Sequence, residues 1–579
     1  MMWNGIRICP WSGVAVCAVA LLVIGFTSGC VDKIRRGQSP DNSLLKLSDD
    51  SDTSFIGRVC GVRGLRPSQV EGIGLAVGLE GTGSEPAPSG QKDYLVRDLK
   101  ASKLTEHPKT AIASKNTAMV LVRGWIPPGA RKGDPIDLEV VTPPKSETES
   151  LKYGQLLKTD LRPFAPLGRS VKLGKITGKA KGPILVNSVF ESSTDKQAET
   201  KGVILGGGTV GFDRSLALVV NTEETSVKLT RSMAHAINQR YSTYAGNSLE
   251  ECANPVTDRI VELVVPNEYD YNIGRFIQSL QAMAYDESNS ERIARLKDLD
   301  RRISEPATAR RAAIELEAIG KDGVTILRQA LQNPDFEVRF YVSESLAYMG
   351  ESDGINNLKI AAESEPAFRW HALAALASIN NAESKTALKW LLDVESAVTR
   401  YGAFKALKAC SPDDPKIRGT LLSDEFYFHY IPSDASSMIH FARSKRPEIV
   451  VFGNDRVAED FIFVQAGLTV RAIDRDRVRI VRYDPIDGEV RLTSSSSITE
   501  LIKTLTRFKI DYSTLLELCR EADGSDTLNS RLVINAAPRV GSKSMKDSVS
   551  QNNELSDKYI SSDIPGLFAD QVDSTDSLE

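Results

Sequence analysis

The sequence predicts an α+β fold with three structured regions. Residues 54–286 form a mixed α/β region, residues 305–412 an α-helical solenoid that interrupts it, and residues 420–540 a further β-rich region with two C-terminal helices. Two observations favour this fold class. Short apolar runs bounded by glycine and proline indicate strands in the first and third regions. Between them, apolar residues recur at a spacing that is typical of stacked helical pairs.

The overall composition is that of an ordinary soluble protein. The chain has 579 residues, a formal net charge of −4 and 7% aromatic residues. Proteins that bind nucleic acid through its phosphates carry a clear basic excess, which this chain lacks. We therefore expect no nucleic-acid partner.

The N-terminal residues 1–30 have the pattern of an export signal. Arg7 precedes an apolar run over residues 14–26, which is shorter than a membrane span and suits a signal peptide. The run ends in TSGC, and small residues before a cysteine resemble the lipobox of bacterial lipoproteins. That resemblance implies cleavage before Cys30 and a lipid on its thiol. An ordinary signal peptide and a retained anchor, favoured by the basic residues within 33–36, are the alternatives.

A polar linker, residues 31–53, leads towards a glycine-rich stretch, Val70–Ser84, which raises the question of a phosphate-binding loop. A dinucleotide fingerprint would need a third glycine where Val77 stands, and a Walker loop would need lysine where Ser84 stands. Two prolines follow, so no helix begins there to hold an anion. We interpret this stretch, and Gly206–Gly208, as tightly turned β-structure, and expect no cofactor.

Strands and helices alternate through residues 54–286. Strands are predicted over Ala118–Val122 and Pro135–Val141, and again in the runs SLALVVN and DRIVELVVP. Prolines and glycines mark the connection between the first two strands. Apolar residues at helical spacing predict helices over Thr225–Tyr241 and Tyr271–Tyr285.

The repeat in residues 305–412 predicts a solenoid of helical pairs. Its apolar period is carried by Leu316, Leu346, Leu376 and Leu407 in the first helices and by Leu327, Leu358 and Leu388 in the second. Arginines stand near the start of the units, at Arg310, Arg339, Arg369 and Arg400, and turn residues end the first helices at Gly320, Gly350 and Asn380. Such units bury their apolar faces only by stacking. The patterns VRFYVSESLAYMG and FRWHALAALASIN resemble short HEAT-like repeats, which implies a protein-binding scaffold. A helical array without a partner is the alternative.

Strand-length runs return in residues 420–540. They are PEIVVFG, GLTVRAI, DRVRIVRYD and GEVRLTS, with a turn over Asp484–Gly488. Two helices are predicted in SSITELIKTLTRF and DYSTLLELCREAD, and Ser497 is the expected N-cap of the first. Residues 541–579 hold eight acidic and three basic side chains and few apolar ones, which predicts a disordered acidic tail.

No arrangement of catalytic or metal-binding residues stands out in the sequence. The five histidines belong to no known catalytic motif, and neither H-E-x-x-H nor G-x-S-x-G occurs. The cysteines that follow the signal include no C-x-x-C pair. We expect no catalytic residue, no metal and no enzyme activity. For Cys60 and Cys252 two alternatives stay open, a disulfide bond or isolated buried thiols.

The glycine stretch and the segments after it resemble the flagellar P-ring protein family. The first segment, VCGVRGLRPSQVEGIGLAVGLEGTGS, is similar to the family's N-terminal signature, with glycines at Gly72, Gly74, Gly78, Gly81 and Gly83. The second, KNTAMVLVRGWIPPGARKGDPIDLEV, matches the next signature at positions that include Pro127, Pro128, Gly133 and Asp137. Two further segments, SLKYGQLLKTDL and LALVVNTEETSVKLTRSMAHAINQRY, follow in the family's order. A weaker resemblance covers residues 494–535.

The resemblance implies a structural subunit that assembles in the periplasm around the flagellar rod and has no active site. It implies a homo-oligomeric ring that closes through a head-to-tail interface. Its expected partners are the rod and L-ring proteins, with peptidoglycan as a neighbour and the outer membrane as anchor where Cys30 carries a lipid. The HEAT-like array is foreign to the family. The alternative is therefore an exported lipoprotein scaffold, without a flagellar role, whose repeats bind a periplasmic protein.

Overall fold

The computed structural model of the chain describes residues 53–103, 105–167, 170–190, 196–245, 248–465, 467–484 and 488–539. The predicted signal peptide with Cys30, the linker up to residue 52, the centre of the turn after Asp484 and the acidic tail lie outside the described residues. The described part combines helices with several sheets, which confirms the α+β class. None of its helices has the length and apolar character that a membrane span requires.

The first part of the chain builds a closed antiparallel barrel. The elements of this part of the chain are α1 (Ile56–Val59), β1 (Cys60–Arg63), β2 (Ser68–Val77), α2 (Gly90–Ala101), α3 (Pro108–Ile112), β3 (Thr117–Ile126), β4 (Pro135–Val141), β5 (Gln155–Leu167), β6 (Ser170–Leu173), β7 (Gly178–Pro183), β8 (Leu185–Val186), α4 (Asn187–Phe190), α5 (Lys196–Glu199) and β9 (Lys201–Val210), of which β1 belongs to the second sheet. Six strands pair in the order β2-β3-β4-β9-β7-β5, and β5 returns to β2. Both predicted strands of this region are present.

Side chains along the strands point alternately into the barrel and outwards. The inward ones fill the barrel core, and some outward ones form a second apolar face that another element must cover. Val120 and Val122 of β3 are buried in the barrel core, whereas Met119 belongs to a small separate cluster. That cluster also contains Leu95 and Leu99, which lie one turn apart on α2. Helix α2 therefore covers the outer side of β2 and β3.

The chain then forms a second, four-stranded sheet and two further helices, the first of which packs on the sheet. The elements are β10 (Leu216–Val220), α6 (Val227–Tyr241), β11 (Thr243–Ala245), β12 (Ser248–Glu250), β13 (Ala253–Pro255), β14 (Ile260–Leu263) and α7 (Ile273–Gln281). The strand order is β1-β10-β14-β13, so the start of the chain supplies an edge strand. Helix α6 agrees with the prediction, and α7 ends at Gln281, before the predicted residue Tyr285.

Eight consecutive helices follow. They are α8 (Asn289–Arg302), α9 (Pro306–Ile319), α10 (Val324–Ala330), α11 (Phe336–Tyr348), α12 (Ile355–Ser364), α13 (Pro366–Ile379), α14 (Ala382–Leu391) and α15 (Ala397–Cys410). Helices α9, α11, α13 and α15 pack in succession, and the side that they turn towards residues 268–275 is called the first-helix surface. All seven repeated leucines are fully buried. The residues that end the first helices, Gly320, Gly350 and Asn380, have φ values of 87°, 78° and 49°. The likeness to HEAT-like repeats stays a prediction.

The C-terminal region contains two sheets and two helices. The elements are β15 (Gly419–Leu422), β16 (Phe426–Ile431), β17 (Met438–Phe441), β18 (Glu448–Phe452), β19 (Ile462–Gln465), β20 (Leu468–Ala472), β21 (Arg477–Asp484), β22 (Gly488–Ser495), α16 (Ile498–Thr506), α17 (Tyr512–Gly524) and β23 (Arg531–Ile534). The sheet orders are β15-β16-β18-β17-β23 and β19-β20-β21-β22. Ser497 precedes α16 as predicted, but its side chain makes no capping hydrogen bond.

Two large hydrophobic cores cross the predicted region boundaries. One core joins the second sheet and the eight helices to Met438 and Phe452 of the five-stranded sheet. The other joins the barrel to Phe441, Phe463 and Leu516 of the C-terminal region. The described residues accordingly belong to one compact unit. The predicted boundaries mark changes of secondary structure, while the packing continues across them.

Candidate functional site

Gly72 and Gly74, the first two motif glycines, lie inside strand β2 between β3 and β5. A Cβ on Gly72 would stand 2.7 Å from the Asp160 carbonyl oxygen, and a Cβ on Gly74 would stand 2.5 Å from Thr159 Oγ1. The pairing of β2 with β5 is irregular here, and the buried Thr159 side chain packs on the glycine backbone. The prediction of tightly turned structure is therefore wrong for these two positions. Glycine allows two strands to approach closely.

Gly78, Gly81 and Gly83 form the turn that follows β2, as predicted. Gly78 and Gly81 have φ values of 83° and 92°, which favour glycine. A Cβ on Gly83 would overlap the backbone of the strand β3 start. The Thr82 hydroxyl donates to Leu79 O at 2.7 Å and to Ser150 O at 2.8 Å. The turn thereby ties the end of β2 to the segment that leads into β5.

Pro127, Pro128 and Gly133 lie in the loop between β3 and β4. Gly133 has a φ of 99°, and its N–H donates to Val210 O at 2.8 Å. The guanidinium of Arg214 donates to Ile126 O at 2.7 Å on the other side of the loop. The loop is thus anchored at both ends to the connection between the barrel and the second sheet.

Asp137, the last motif residue, joins the barrel to the C-terminal region. Its buried carboxylate accepts the Gly206 N–H at 2.5 Å and the Lys445 N–H at 2.6 Å. Gly206 has a φ of 62° and lies where the register between β4 and β9 shifts. The predicted turn at Gly206–Gly208 is therefore wrong, because these residues lie within β9 and Gly206 forms its bulge. No local pattern in the sequence indicates the pairing with Lys445.

Arg275 on α7 lies at the centre of a buried ion-pair network that sequence reasoning missed. Its Nη2 lies 2.7 Å from Glu317 Oε2 on α9, and its Nη1 lies 3.1 Å from Glu344 Oε2 on α11. The Tyr269 hydroxyl donates to Glu317 at 2.8 Å, and Arg275 Nη2 donates to Ser345 Oγ at 2.7 Å. The network fixes the second sheet's helix to two first helices of the array.

Arg275 and Glu344 hold each other in the ionised state, whereas burial raises the pKa of Glu317 against the opposing effect of Arg275. Burial alone would lower the pKa of Arg275, but Glu317 and Glu344 raise it above its ordinary value. Burial alone would raise the pKa of Glu344, but Arg275 and His371 lower it to about 2. Removing one partner would leave an uncompensated buried charge, which is strongly destabilising.

The segment before Arg275 extends this contact along the whole first-helix surface. The Tyr269 ring stacks on Tyr348 of α11 with ring centroids 5.0 Å apart. Ser378 of α13 donates to Glu268 O at 2.6 Å, and Tyr271 donates to Ala409 O of α15 at 3.0 Å. Residues 268–275 therefore contact α9, α11, α13 and α15.

Glu448 of β18 forms a second buried network, which fixes the five-stranded sheet to α15. Its Oε2 lies 2.7 Å from Lys408 Nζ, and its Oε1 accepts from the Tyr401 hydroxyl at 3.1 Å. His429 Nε2 lies 2.9 Å from Lys408 Nζ. Burial lowers the pKa of Lys408 to about 8 and the pKa of His429 to about 4. His429 is therefore neutral near pH 7 and accepts a hydrogen bond from the charged lysine.

Cys60 and Cys252 are separate buried thiols in the structure. Each donates to a backbone carbonyl, Cys60 to Ile56 O at 3.0 Å and Cys252 to Tyr241 O at 3.1 Å. Cys60 pairs with Val220 at one end of β10, whereas Cys252 lies beside Val264, beyond the other end. About five residues of strand, roughly 16 Å, separate the two places, which is too far for a disulfide bond. Of the two alternatives, the structure has the isolated thiols.

The three buried histidines of the described part make internal contacts. His371 and His429 belong to the two networks, and His440 accepts the Ala536 N–H at 2.9 Å. In the described ranges no three metal-ligating side chains come together. The arrangement of the motif residues and both networks fixes elements to each other, which is a mechanical role.

Residues 56–295 match the family model of the flagellar P-ring protein. The flagellar P-ring protein of Nitrosospira multiformis is 26% identical over 239 residues, which cover 38% of this chain and 57% of that protein. That of Hydrogenovibrio crunogenus is 29% identical over 208 residues, or 34% and 54% of the two chains. That of Thermotoga maritima is 25% identical over 238 residues, or 40% and 66%.

The chain spans between 54% and 66% of the length of eight such relatives. The match begins at the start of α1 and ends within α8. It therefore includes the barrel, the second sheet and all nine motif positions. The helical pairs from α9 onwards and the C-terminal region lie outside it.

Proposed function

We propose, from the membership of residues 56–295 in the flagellar P-ring protein family, that this chain is a structural subunit of a P-ring-like assembly around the flagellar rod. The assembly lies in the periplasm, belongs to the basal body and supports motility. The observation that carries the proposal is the extent of the match. It covers the barrel and the second sheet together and runs through every motif position.

The geometry of the motif residues supports a mechanical role. The glycines of β2 allow close strand contact, and Asp137 joins two distant parts of the chain. A ring that surrounds a rotating rod must keep its shape under load, so its subunits benefit from rigid internal joints. We therefore propose that the protein is not an enzyme and acts without a cofactor.

The proposed partners are further copies of this chain in a closed ring, the rod, and the L-ring proteins, with peptidoglycan beside the ring. Identical subunits close a ring through a head-to-tail interface. Export follows from the N-terminal residues 1–30, and a lipid on Cys30 would anchor each subunit to the outer membrane. Palmitate labelling of the wild type and of Cys30→Ala tests the anchor. We expect the label to disappear in the variant, and equal labelling would contradict lipidation.

The HEAT-like array, in this proposal, braces the subunit. The first-helix surface is covered by residues 268–275 and, at α15, by the five-stranded sheet through Glu448. The alternative function, an exported scaffold whose repeats bind a periplasmic protein, would need that surface or the opposite one. Binding of a partner through the first-helix surface is disfavoured, because residues 268–275 and the five-stranded sheet already occupy it.

Deleting the gene tests the proposal directly. We expect non-swimming cells whose purified basal bodies lack the ring at the periplasmic level of the rod. Complementation with the wild-type gene should restore ring and swimming. Complementation with Gly74→Val, which places a side chain where Thr159 lies, should not. Intact rings in the deletion strain would contradict the proposed function.

A further inference from the structure

The four-stranded sheet β19–β22 exposes apolar side chains on one face. Ile462, Val464 and Tyr483 are 51%, 64% and 64% exposed. Cross-strand pairing places them on the same face, opposite the face that buries Phe463 and Val470. Exposed apolar side chains that cluster on one sheet face indicate an interaction surface.

Two arginines whose side chains have no partner among the described residues lie on the same face. Arg471 of β20 and Arg479 of β21 stand directly opposite each other, and both are exposed. Beyond the backbone pairing of the strands, neither side chain forms an ion pair or hydrogen bond with any other described residue. Like charges opposite each other weaken a sheet unless an anion lies between them. We call Ile462, Val464, Arg471, Arg479 and Tyr483 the basic sheet face.

The other charges on this face do not neutralise it. Arg477 is paired with Asp474 at 2.6 Å, and Arg491 is paired with Glu489 at 2.9 Å. Both acidic side chains therefore already have a cationic partner. The excess of positive charge rests on Arg471 and Arg479, so the face suits a ligand that combines apolar and acidic side chains.

The chain itself contains such a ligand in its acidic tail. The segment Asp563–Asp573, DIPGLFADQVD, carries three aspartates around Ile564, Leu567 and Phe568. The described chain reaches Arg539 just after Pro538, which lies against α15 at Gly402. The residues between 539 and 563 can span up to roughly 80 Å when extended, so the segment can reach the sheet. Attachment to the same chain gives it a high effective concentration.

We propose that Asp563–Asp573 docks on the basic sheet face of its own chain. Its aspartates neutralise Arg471 and Arg479, and its apolar residues cover Ile462, Val464 and Tyr483. A segment of disordered composition orders when it binds in this way. The proposal goes beyond the proposed function, because both the segment and the sheet lie outside residues 56–295 and the contact requires no ring.

Photo-crosslinking in the full chain tests the docking. Benzoylphenylalanine in place of Phe568 should crosslink to residues 462–483, within one chain and independently of protein concentration. Arg471→Ser combined with Arg479→Ser should lower the yield about fivefold, because two charge contacts are lost. The matched control, Arg231→Ser with Arg418→Ser, removes two exposed arginines elsewhere and should leave the yield unchanged.

Three results would overturn the proposal. Crosslinks that fall mainly outside the sheet would exclude the basic sheet face as the docking site. Crosslinked dimers that grow with concentration would assign the face to a second copy. An equal crosslinking yield in the double variant and its control would show that the two arginines do not contribute to docking. The double variant should stay folded, because Arg471 and Arg479 repel each other in the wild type. Its melting temperature should therefore be unchanged or raised, and a lower crosslinking yield reports weaker docking.

Discussion

Gly74 has no side chain because Thr159 of the neighbouring strand occupies the space where one would begin. The same holds for Gly72, whereas Gly78 and Gly81 are needed for their positive φ. Two different physical demands therefore select the same residue type within one short stretch. The residue type at each of these motif positions is therefore explained by the neighbouring atoms or by the backbone angle at that position.

Gly74→Ala should lower the free energy of unfolding by about 1–3 kcal/mol, because the added Cβ meets Thr159 Oγ1 and Leu156 Cδ1. Urea denaturation measures the effect. Gly61→Ala is the control, because Gly61 also lies in a strand and its added Cβ meets no atom within 4 Å. Combining Gly74→Ala with Thr159→Ala should cost less than the sum of the two single changes. Equal effects at Gly74 and Gly61 would contradict the close-approach explanation.

The carboxyl group of Glu425 should make the free energy of unfolding fall as pH rises. Burial and the nearby Asp511 raise its pKa from 4.5 to about 7. The folded state binds the proton more tightly than the unfolded chain, so this contribution is complete below about pH 4.5 and is lost as pH rises through about 7. Glu425→Gln should therefore be more stable than the wild type at pH 8, by about 1 kcal/mol after allowance for partial exposure. Urea denaturation between pH 4.5 and 8 checks this, and an unchanged pH slope in the variant would contradict it.

The helical pairs show how repeated residues act at the scale of elements. Arg339, Arg369 and Arg400 each donate to carbonyl groups five to seven residues earlier, at the end of one helical pair or in the link to the next. The repeated arginine is therefore a clamp on the linker, and a partner-binding role is not needed to explain it. The same scale contains the two buried ion networks, which join elements from different regions.

Arg369→Ala should destabilise the array locally. It removes hydrogen bonds from a charged donor to Ala362 O and Glu363 O, which corresponds to about 1–3 kcal/mol. Hydrogen exchange over the end of α12 should become faster. Arg369→Lys, which keeps the charge but loses the planar fork, should fall between the variant and the wild type. No change in exchange would show that the clamp is unimportant.

Arg275→Met should cost about 3–5 kcal/mol, because Glu317 and Glu344 would remain buried without their cation. Hydrogen exchange should increase in α7 and α11 together. The triple variant with Glu317→Gln and Glu344→Gln removes the stranded charges and should recover part of the loss. If the single and triple variants were equally unstable, packing rather than charge would explain the effect.

At the scale of the whole molecule, the described part is held together by contacts between residues far apart in sequence. Patterns of local spacing predicted the strand Pro135–Val141 and the succession of helices well, because alternation and turn chemistry are local. The partners of Asp137 and Arg275 could not be predicted in that way. Lys445 is 308 positions from Asp137, and no periodicity links them. Glycine content likewise could not distinguish a turn from a close strand contact.

The residues that match the family model and the rest of the chain contribute differently to the proposed function. Residues 56–295 carry the proposed ring function, while the helical pairs and the C-terminal region pack on that unit through both cores. A ring built from this chain should therefore be bulkier than one built from the matched unit alone. The additional mass should move rigidly with the barrel.

Electron cryotomography of intact flagellar motors tests the central claim most directly. The account predicts a ring at the periplasmic level of the rod whose averaged density accommodates repeated copies of the whole described structure, including the helical pairs beside the barrel. The ring should be absent when the gene is deleted. A ring of unchanged size and density in the deletion strain would contradict the assignment of this chain to it.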